Sequence, residues 1–313
     1  MRVQANRSHT FVGLDRSLYD TVVDHSTVEI PTRLLVLGMA HDDGTILASE
    51  LFPVAEACGQ TPEQLRSCLR RLAREDLFVR EGKGRSARFI PTPNGLAALS
   101  ASAARTRLAY AQDAAGRGWD GQWRLVAFAL PENQRKARNT FRDHLLQLGG
   151  SAIQAAMYLS PHLWHDDVRI AAESLGIAEY VTLAVTNGLD VGGVRDPREL
   201  ARRLWTLDEL ATRYQGFIER YSWLPDQLDS MRGRQERIAD TAFLPGALAV
   251  AVAFRECFDD DPLLPPELLP RPWPGRAARD LLARCRTKAL SLREDRGGPS
   301  LFRAFDETLD ALP

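Results

Sequence analysis

Apolar side chains recur every three or four positions between residues 61 and 76, which is the spacing of a helix with one buried face. The predicted buried face carries Leu65, Cys68, Leu69, Leu72 and Asp76. The opposite face carries Glu63, Ser67, Arg70 and Arg74, flanked by Arg66 and Arg71. Thr61 suits the N-cap, Pro62 suits the first helical position, and Gln64 can complete a capping box. The pattern therefore predicts a well-defined helix start and an arginine-bearing outer face.

The segments around this helix carry helix, strand and turn signals in a consistent order. Upstream, the predicted elements are a helix over 31–40, a short strand over 45–47, a helix over 49–58 and a turn at Gly59 and Gln60. Downstream, strands over 78–80 and 88–90 enclose residues 81–86, where two glycines and a serine favour a tight or mobile tip. Helix, strand, helix, turn, helix and hairpin within about sixty residues is the order of a winged helix-turn-helix.

After Gly116-Arg117-Gly118 the pattern changes to strands that alternate with helices. The predicted elements are a strand over 123–131, a helix over 135–148, a strand over 155–159, a helix over 165–175 and a strand over 180–185. The order β-α-β-(β)-α-β predicts a ferredoxin-like, split β-α-β domain. Because that fold serves many unrelated functions, it does not by itself indicate an activity.

The remainder of the chain has helical patterns. Asp196, Pro197 and Glu199 predict one helix start, while Thr206 and Glu209 predict a capping box for the next helix. An apolar stripe in that second helix consists of Leu207, Leu210, Tyr214, Phe217 and Tyr221. Such a stripe is typical of core packing, with a ligand-pocket wall as the alternative.

Together these patterns predict an α+β chain. The predicted parts are an N-terminal arm at 1–27, a winged helix-turn-helix at 28–100, a linker helix at 101–118, a ferredoxin-like central domain at 119–194 and a helical C-terminal domain at 195–313. No apolar run approaches the ~20 residues that span a bilayer, and the N-terminus has no hydrophobic secretion signal, so we expect a cytoplasmic protein. Four widely spaced cysteines predict neither a disulfide framework nor a zinc site, and we expect buried or inert thiols.

Charge gives the predicted winged helix its chemistry. The whole chain carries a formal net charge of −1, yet residues 62–88 hold eight basic and four acidic side chains. A local basic patch on a nearly neutral protein favours nucleic-acid binding, with a solvated arginine-rich helix as the alternative. The predicted DNA contacts are Ser67, Arg70 and Arg74 at or near bases, Arg66 and Arg71 at phosphates, and Lys83, Arg85 and Arg88 in the wing.

Four blocks of the sequence carry a family resemblance. They are the winged-helix block that ends at 85–90, the WDGQW block at 119–123, the block of Trp205, Thr206 and Leu207 with Leu210, Tyr214 and Phe217, and the DPLLPPELLP block that runs from Asp261 to Gly275. The chain resembles the PaaX family over nearly its whole length. The resemblance implies a homodimeric transcription factor, usually a repressor of an aromatic or organic-acid catabolic operon. It also implies release from operator DNA by an acyl-coenzyme A such as phenylacetyl-coenzyme A.

A coenzyme A thioester needs cationic partners for its phosphates and an apolar cavity for its acyl group. The candidate effector contacts are Arg195, Arg202, Arg203, Trp205 and Tyr214. Each of them also has a plainer interpretation, as a surface charge or as a core aromatic side chain. The operator, the effector and the choice between repression and activation stay open.

The competing class is a metal-dependent nuclease, because the central domain also resembles a small CRISPR-associated endonuclease. Ala129 stands where that family has its metal-binding carboxylate, and Glu132 alone supplies too few oxygen ligands. The two histidines and two aspartates between His162 and Asp167 would suit a transition metal only if a helix or loop brought them together. We favour the alternative that Asp166 and Asp167 lie at the positive N-terminus of the next helix. We therefore predict a protein that is not an enzyme and has no cofactor or bound metal.

Overall fold

The computed structural model describes residues 30–295, 299–303 and 305–306. The predicted N-terminal arm at 1–27 lies outside the described residues. The described chain combines helices with two antiparallel sheets, of three and four strands, so the α+β class is confirmed. Within the described ranges, no helix is long and apolar enough to cross a bilayer.

Helices and strands alternate in the first two thirds of the chain, and the last third is helical. The first part contains α1 Thr32–Gly38, β1 Ile46–Leu47, α2 Ala48–Ala57, α3 Pro62–Arg74, β2 Phe78–Glu81, β3 Arg88–Pro91 and α4 Pro93–Ala115. The middle part contains β4 Trp123–Phe128, α5 Arg135–Gln147, β5 Ser151–Gln154, β6 Met157–Ser160, α6 His165–Ser174 and β7 Val181–Thr186. The last part contains α7 Pro197–Leu204, α8 Leu207–Tyr221, α9 Leu224–Gly233, α10 Asp240–Phe258 and α11 Pro274–Leu292.

The described chain forms two compact units. One unit runs to Leu99 and includes Trp223–Ala253 and the described residues from Leu282 onward. The other unit contains Ser100–Ser222 and Phe254–Leu281. The helices after residue 195 are thus divided between the units, and the predicted limit at residue 100 lies inside α4.

Helices α1, α2 and α3 share an apolar core with the first sheet. The sheet has the order β1-β3-β2, and Phe89 of β3 lies opposite both Ile46 of β1 and Arg80 of β2. Leu35, Leu51 and Leu72 are fully buried, one from each helix, because apolar residues at three- and four-residue spacing fall on one side.

The predicted start of α3 is confirmed. The Thr61 hydroxyl accepts from the Gln64 backbone N–H at 3.2 Å, and the Gln64 side-chain oxygen accepts from the Thr61 N–H at 2.7 Å. The predicted place of Asp76 on the buried face is wrong. The helix ends at Arg74, and Asp76 is exposed with φ at 55°, because the chain reverses there to start β2.

Replacing Thr61 by alanine should lower the free energy of unfolding by about 1 kcal/mol, because the N–H of Gln64 loses its acceptor at the helix start. Urea denaturation of the full chain measures this change. Thr61→Ser keeps the hydroxyl and is the matched control. Equal stability of the alanine and serine variants would show that the cap contributes nothing.

The second sheet has the strand order β5-β6-β4-β7, with every neighbouring pair antiparallel. Two predicted strands need correction. The predicted strand over 123–131 ends at Phe128, because the chain turns at Pro131 towards α5. The predicted strand over 155–159 starts two residues later, as β6, and β5 precedes it, so that the two strands form a hairpin through Ala155 and Ala156.

Helices α7 and α8 begin in different ways. The Asp196 carboxylate accepts from the N–H groups of Arg198 and Glu199 at 3.0 and 2.9 Å, so the predicted cap is confirmed. The predicted capping box of Thr206 is wrong, since its side chain makes no cap hydrogen bond. Its ψ of 55° differs from the extended backbone that directs a cap hydroxyl at the helix. The five predicted stripe residues of α8 are buried, as core packing requires.

Candidate functional site

The outer face of α3 presents its arginine side chains to solvent. All five predicted DNA-contact residues on this helix are exposed: Arg66, Ser67, Arg70, Arg71 and Arg74. On the other side Leu65, Leu69 and Leu72 are buried, which fixes the rotation of the helix about its axis. Because residues 67, 70 and 74 recur at three and four positions, their side chains lie along one stripe.

The arginine side chains of α3 differ in the partners that they already have within the protein. Arg66 pairs with Glu63 across one helical turn at 3.1 Å. The Arg74 side chain donates to the backbone carbonyl of Arg70 at 3.4 Å. Among the residues that the structure describes, no carboxylate pairs with the Arg70 guanidinium. Arg70 therefore has all its planar donors available for a partner.

The hairpin of β2 and β3 carries the second group of basic side chains. Lys83, Arg85 and Arg88 are all exposed. Gly82 and Gly84 have φ of 74° and 59°, and the Ser86 hydroxyl donates to the Lys83 carbonyl at 2.9 Å. Positive φ is accessible to glycine at little cost, so the tip makes a compact turn.

Arg88 lies deeper in the hairpin than the two tip residues. It stands opposite Glu81 in the register of β2 and β3, so its charge faces an acidic side chain on the same sheet face. Arg80 was not among the predicted contacts, although it is exposed beside Glu81 on β2. Strand alternation places Arg80 on the same face as Phe78 and Phe89.

Aromatic and leucine side chains from distant parts of the sequence meet around Trp123. The Trp119 ring lies 5.1 Å from the Trp123 ring, and the Trp205 ring stacks on Trp123 at 6.4 Å. Leu264, Leu268 and Leu269 complete the buried cluster, with Trp273 packed against it. These residues belong to three of the blocks that carry the sequence resemblance.

Polar contacts hold the same blocks together. The Glu267 carboxylate accepts from the backbone N–H groups of Gly118 and Trp119, with N–O distances of 3.1 and 3.3 Å. The Arg124 guanidinium pairs with Asp120 and donates to the Pro161 carbonyl at 3.1 Å. Residues that carry the sequence resemblance therefore form a structural core around the start of β4.

Two family models match this chain. Residues 116–201 match the model described as "PaaX protein central Cas2-like domain", and residues 205–294 match "PaaX-like protein C-terminal domain". The chain belongs to the PaaX family.

A curated PaaX relative and a solved structure are also similar to this chain. The chain is 26% identical over 276 residues to "Transcriptional repressor PaaX" of Escherichia coli (strain K12), covering 85% of this chain and 83% of the relative. A solved structure, "Uncharacterized protein Rv0674 from Mycobacterium tuberculosis", is similar with a TM-score of 0.46 and 20% identity. That match covers 95% of this chain and 98% of the solved chain.

The predicted effector contacts of this PaaX-family chain fall into two kinds. Arg195, Arg202 and Arg203 are held by local partners: Asp190 at 2.7 Å, Asp208 at 3.4 Å and the Val191 carbonyl at 2.9 Å. Trp205 and Tyr214 are buried, and the Trp205 indole donates to the Gly149 carbonyl at 3.1 Å. A thioester would have to displace these partners to use the arginines.

A buried charged cluster surrounds Tyr214 and was not found from the sequence. The Tyr214 hydroxyl donates to the Asp261 carboxylate at 2.6 Å, and burial raises the pKa of this phenol. The Arg279 guanidinium lies 3.7 Å from the same carboxylate and makes two hydrogen bonds to Asp113. The side chains of Arg279, Asp113 and Asp261 are 5%, 12% and 3% exposed.

The region compared with the nuclease family has no carboxylate at the end of β4. Ala129 follows the strand directly, and Glu132 pairs with Arg138 at 3.2 Å.

The histidine and aspartate cluster that follows β6 has structural partners. Burial lowers the pKa of His162, whose ring nitrogen lies 2.9 Å from the Pro262 carbonyl. Asp166 and Asp167 occupy the first turn of α6, as the helix-start interpretation predicted. Across the described ranges, no three His, Cys, Asp or Glu side chains are grouped to hold a metal ion.

Proposed function

We propose that this PaaX-family chain is a transcriptional regulator that binds a DNA operator through α3 and the hairpin of β2 and β3. The module from α1 to β3 is, in this proposal, a winged helix-turn-helix with α3 as its recognition helix. Its three helices, its three-stranded sheet and their order support that assignment. Family membership and the similarity to a curated repressor support transcriptional regulation, with repression as the mode.

The observation that carries the proposal is the stripe of exposed arginines on α3. Arginine grips guanine or a phosphate with two parallel hydrogen bonds, and a helix fits the major groove. Ser67, Arg70 and Arg74 are the proposed base contacts, and Arg66 and Arg71 the proposed phosphate contacts. Lys83, Arg85 and Arg88 would reach the DNA from the hairpin.

The remaining parts have supporting roles in this proposal. The strand order β5-β6-β4-β7 with two helices supports a ferredoxin-like central domain at 119–194, and the helices from α7 onward follow it. Two copies would place two recognition helices on the half-sites of one operator in the cytoplasm. We therefore propose a homodimer as the active form.

We further propose that an acyl-coenzyme A, such as phenylacetyl-coenzyme A, releases the protein from the operator of an aromatic or organic-acid catabolic operon. Arg195, Arg202 and Arg203 would bind its phosphates, and Trp205 and Tyr214 would lie near its acyl group. A ligand shifts DNA affinity only if it binds one conformation better than the other. The thioester must therefore favour a conformation in which the two α3 helices no longer match the half-sites.

Fluorescence anisotropy with DNA from upstream of the protein's own gene tests this function. The measurement is made at two salt concentrations, with and without phenylacetyl-coenzyme A and related thioesters. We expect selective binding that weakens with salt and is released by one thioester. Selective binding that no thioester changes would overturn only the effector. Equal affinity for operator and scrambled DNA would overturn the regulatory function.

Replacing Lys83 by alanine should weaken binding to all DNA sequences alike. An ammonium at the hairpin tip reaches phosphates, and each phosphate contact adds about one unit to the slope of log K against log salt concentration. Titrations at several salt concentrations should show a slope smaller by about one. Lys83→Arg is the control that keeps the charge. A loss confined to the operator would instead place Lys83 at a base.

A further inference from the structure

Strand β7 forms an open edge of the second sheet. It pairs with β4 along its whole length from Val181 to Thr186 and stands last in the strand order. The opposite edge strand, β5, has α7 packed against it, and its Ser151 hydroxyl donates to the Leu204 carbonyl. On β7, by contrast, Thr182, Ala184 and Val185 are exposed, and Val185 is 52% exposed.

The hydrogen bonds to β4 show which backbone groups of β7 point outward. The Ala129 N–H donates to the Tyr180 carbonyl at 3.2 Å, while Phe128 and Val181 stand opposite each other. In antiparallel pairing, a hydrogen bond between the residues that flank Phe128 and Val181 makes Phe128 and Val181 a non-hydrogen-bonded pair. The backbone groups of the alternate residues Thr182, Ala184 and Thr186 therefore form the hydrogen bonds to β4. The backbone N–H and C=O groups of Val181, Leu183 and Val185 then point away from the sheet.

Strand β7 lacks the features that usually protect an edge. Its sequence is Val-Thr-Leu-Ala-Val-Thr, with no proline, no lysine or other charge, and an unbroken register with β4. Soluble proteins normally protect such edges with charges, prolines or bulges, because an open edge pairs with another strand. An unprotected strand of this kind indicates a partner strand.

The strand is complementary to a second copy of itself. A two-fold axis through Leu183 pairs Leu183 with itself and Val181 with Val185, and these are the residues whose backbone groups point outward. The same register sets Thr182 opposite Ala184 and Glu179 opposite Asn187, so no like charges meet. Aliphatic side chains face aliphatic side chains across the axis.

We propose that β7 pairs with β7 of a second copy, antiparallel and centred on Leu183, so that two four-stranded sheets join into one. This inference rests on the proposal that the protein acts as a dimer, and it adds the surface that forms it. Six backbone hydrogen bonds follow from the register, from three residues on each strand. The joined sheet would fix the spacing between the two copies.

Two substitutions of Val185 test the pairing in the full chain. Val185→Pro removes an outward N–H and leaves the bonds to β4 intact, and Val185→Lys places a charge at the pair with Val181. Ile170→Lys is the matched control, since Ile170 is exposed at 66% on α6. Sedimentation velocity over a range of concentrations measures the dimer dissociation constant, and circular dichroism reports folding.

We expect a wild-type dimer, an equal Ile170→Lys dimer, and a dissociation constant raised at least about tenfold in folded Val185 variants. Folded Val185 variants that dimerise as tightly as wild type would overturn the edge while leaving the dimer standing. A wild-type protein that is monomeric throughout would overturn the dimer and the edge together. Operator binding is measured separately on the same samples, so that a failure of the proposed DNA-binding function can be distinguished from a failure of the strand pairing.

Disulfide cross-linking tests the register. Thr182 and Ala184 of the second copy would form a non-hydrogen-bonded pair with Cα atoms about 4.5 Å apart, within disulfide reach. The double variant Thr182→Cys/Ala184→Cys should therefore cross-link two chains on oxidation. Neither single variant should cross-link, because its cysteine faces an unchanged residue of the second copy, whose own cysteine lies two positions further along the strand. The four described cysteines of the natural sequence are buried and do not compete. Equal cross-linking of single and double variants would overturn this register.

Discussion

Replacing Arg70 by alanine should weaken operator binding by about 1–3 kcal/mol, the range for a bidentate contact to guanine. The Arg70 side chain lies at the middle of the exposed stripe of α3, opposite the buried Cys68 and Leu72. No carboxylate of the described residues holds it, so it needs to break no ion pair to reach DNA. The loss should be largest for the operator and small for scrambled DNA, because a base contact discriminates and a phosphate contact does not.

Two variants accompany Arg70→Ala in the anisotropy measurement. Arg70→Lys keeps the charge but loses the planar fork, so we expect it to retain non-selective affinity and lose selectivity. Arg142→Ala removes an exposed arginine that pairs with Asp143 on α5, and it should leave DNA binding unchanged. Unchanged operator affinity and selectivity of Arg70→Ala would show that Arg70 makes no base contact.

Replacing Arg279 by methionine should lower the free energy of unfolding by about 3–5 kcal/mol. Arg279 is buried between Asp113 and Asp261, and its removal leaves two buried carboxylates without their cation. The Tyr214 hydroxyl still donates to Asp261, which compensates one carboxylate only in part. Urea denaturation followed by tryptophan fluorescence measures the change, since Trp273 packs against the Tyr214 ring at 6.0 Å.

An exposed ion pair in the same part of the chain provides the control. Arg255 and Asp259 form a pair in which the side chains are 46% and 51% exposed. Solvent screens such a pair, so Arg255→Met should cost less than about 1 kcal/mol. If Arg279→Met costs no more than Arg255→Met, the buried cluster does not stabilise this unit.

Burial also determines the state of the cysteines. It raises the pKa of the Cys58 thiol to about 12 and that of Cys257 to about 11. These thiols therefore stay protonated at neutral pH, and the thiolate is the form that reacts or binds metal. All four cysteines are buried, as expected from the sequence.

The sequence predicted those features that depend on neighbouring residues. The capping box of Thr61 and Gln64, the cap of Asp196 and the buried stripe of α8 each depend on side chains within one or a few helical turns. The face of α3 that carries its arginines followed from the same short-range periodicity. For this reason the exposed positions of the candidate DNA contacts on α3 could be predicted from the sequence.

The sequence did not reveal features that depend on distant residues, nor two local features whose residues give no clear signal or a misleading one. Arg279 and Asp113 are 166 positions apart, so nothing local indicates that they pair. The hairpin of β5 and β6 turns through Ala155 and Ala156, which lack the glycine or asparagine that marks most tight turns. The Thr206 cap failed because the backbone after Trp205 does not take the extended conformation that a cap needs. The edge position of β7 likewise emerges only from the strand order.

Selection of DNA duplexes from a random library by the wild-type protein tests most directly whether α3 reads a DNA sequence. We predict enrichment of one inverted repeat, with half-site centres about 10 base pairs, or a multiple of that spacing, apart. We also expect Arg70→Ala to relax the preference at one position of each half-site. A library that emerges without any enriched sequence would contradict the assignment of α3 as a recognition helix.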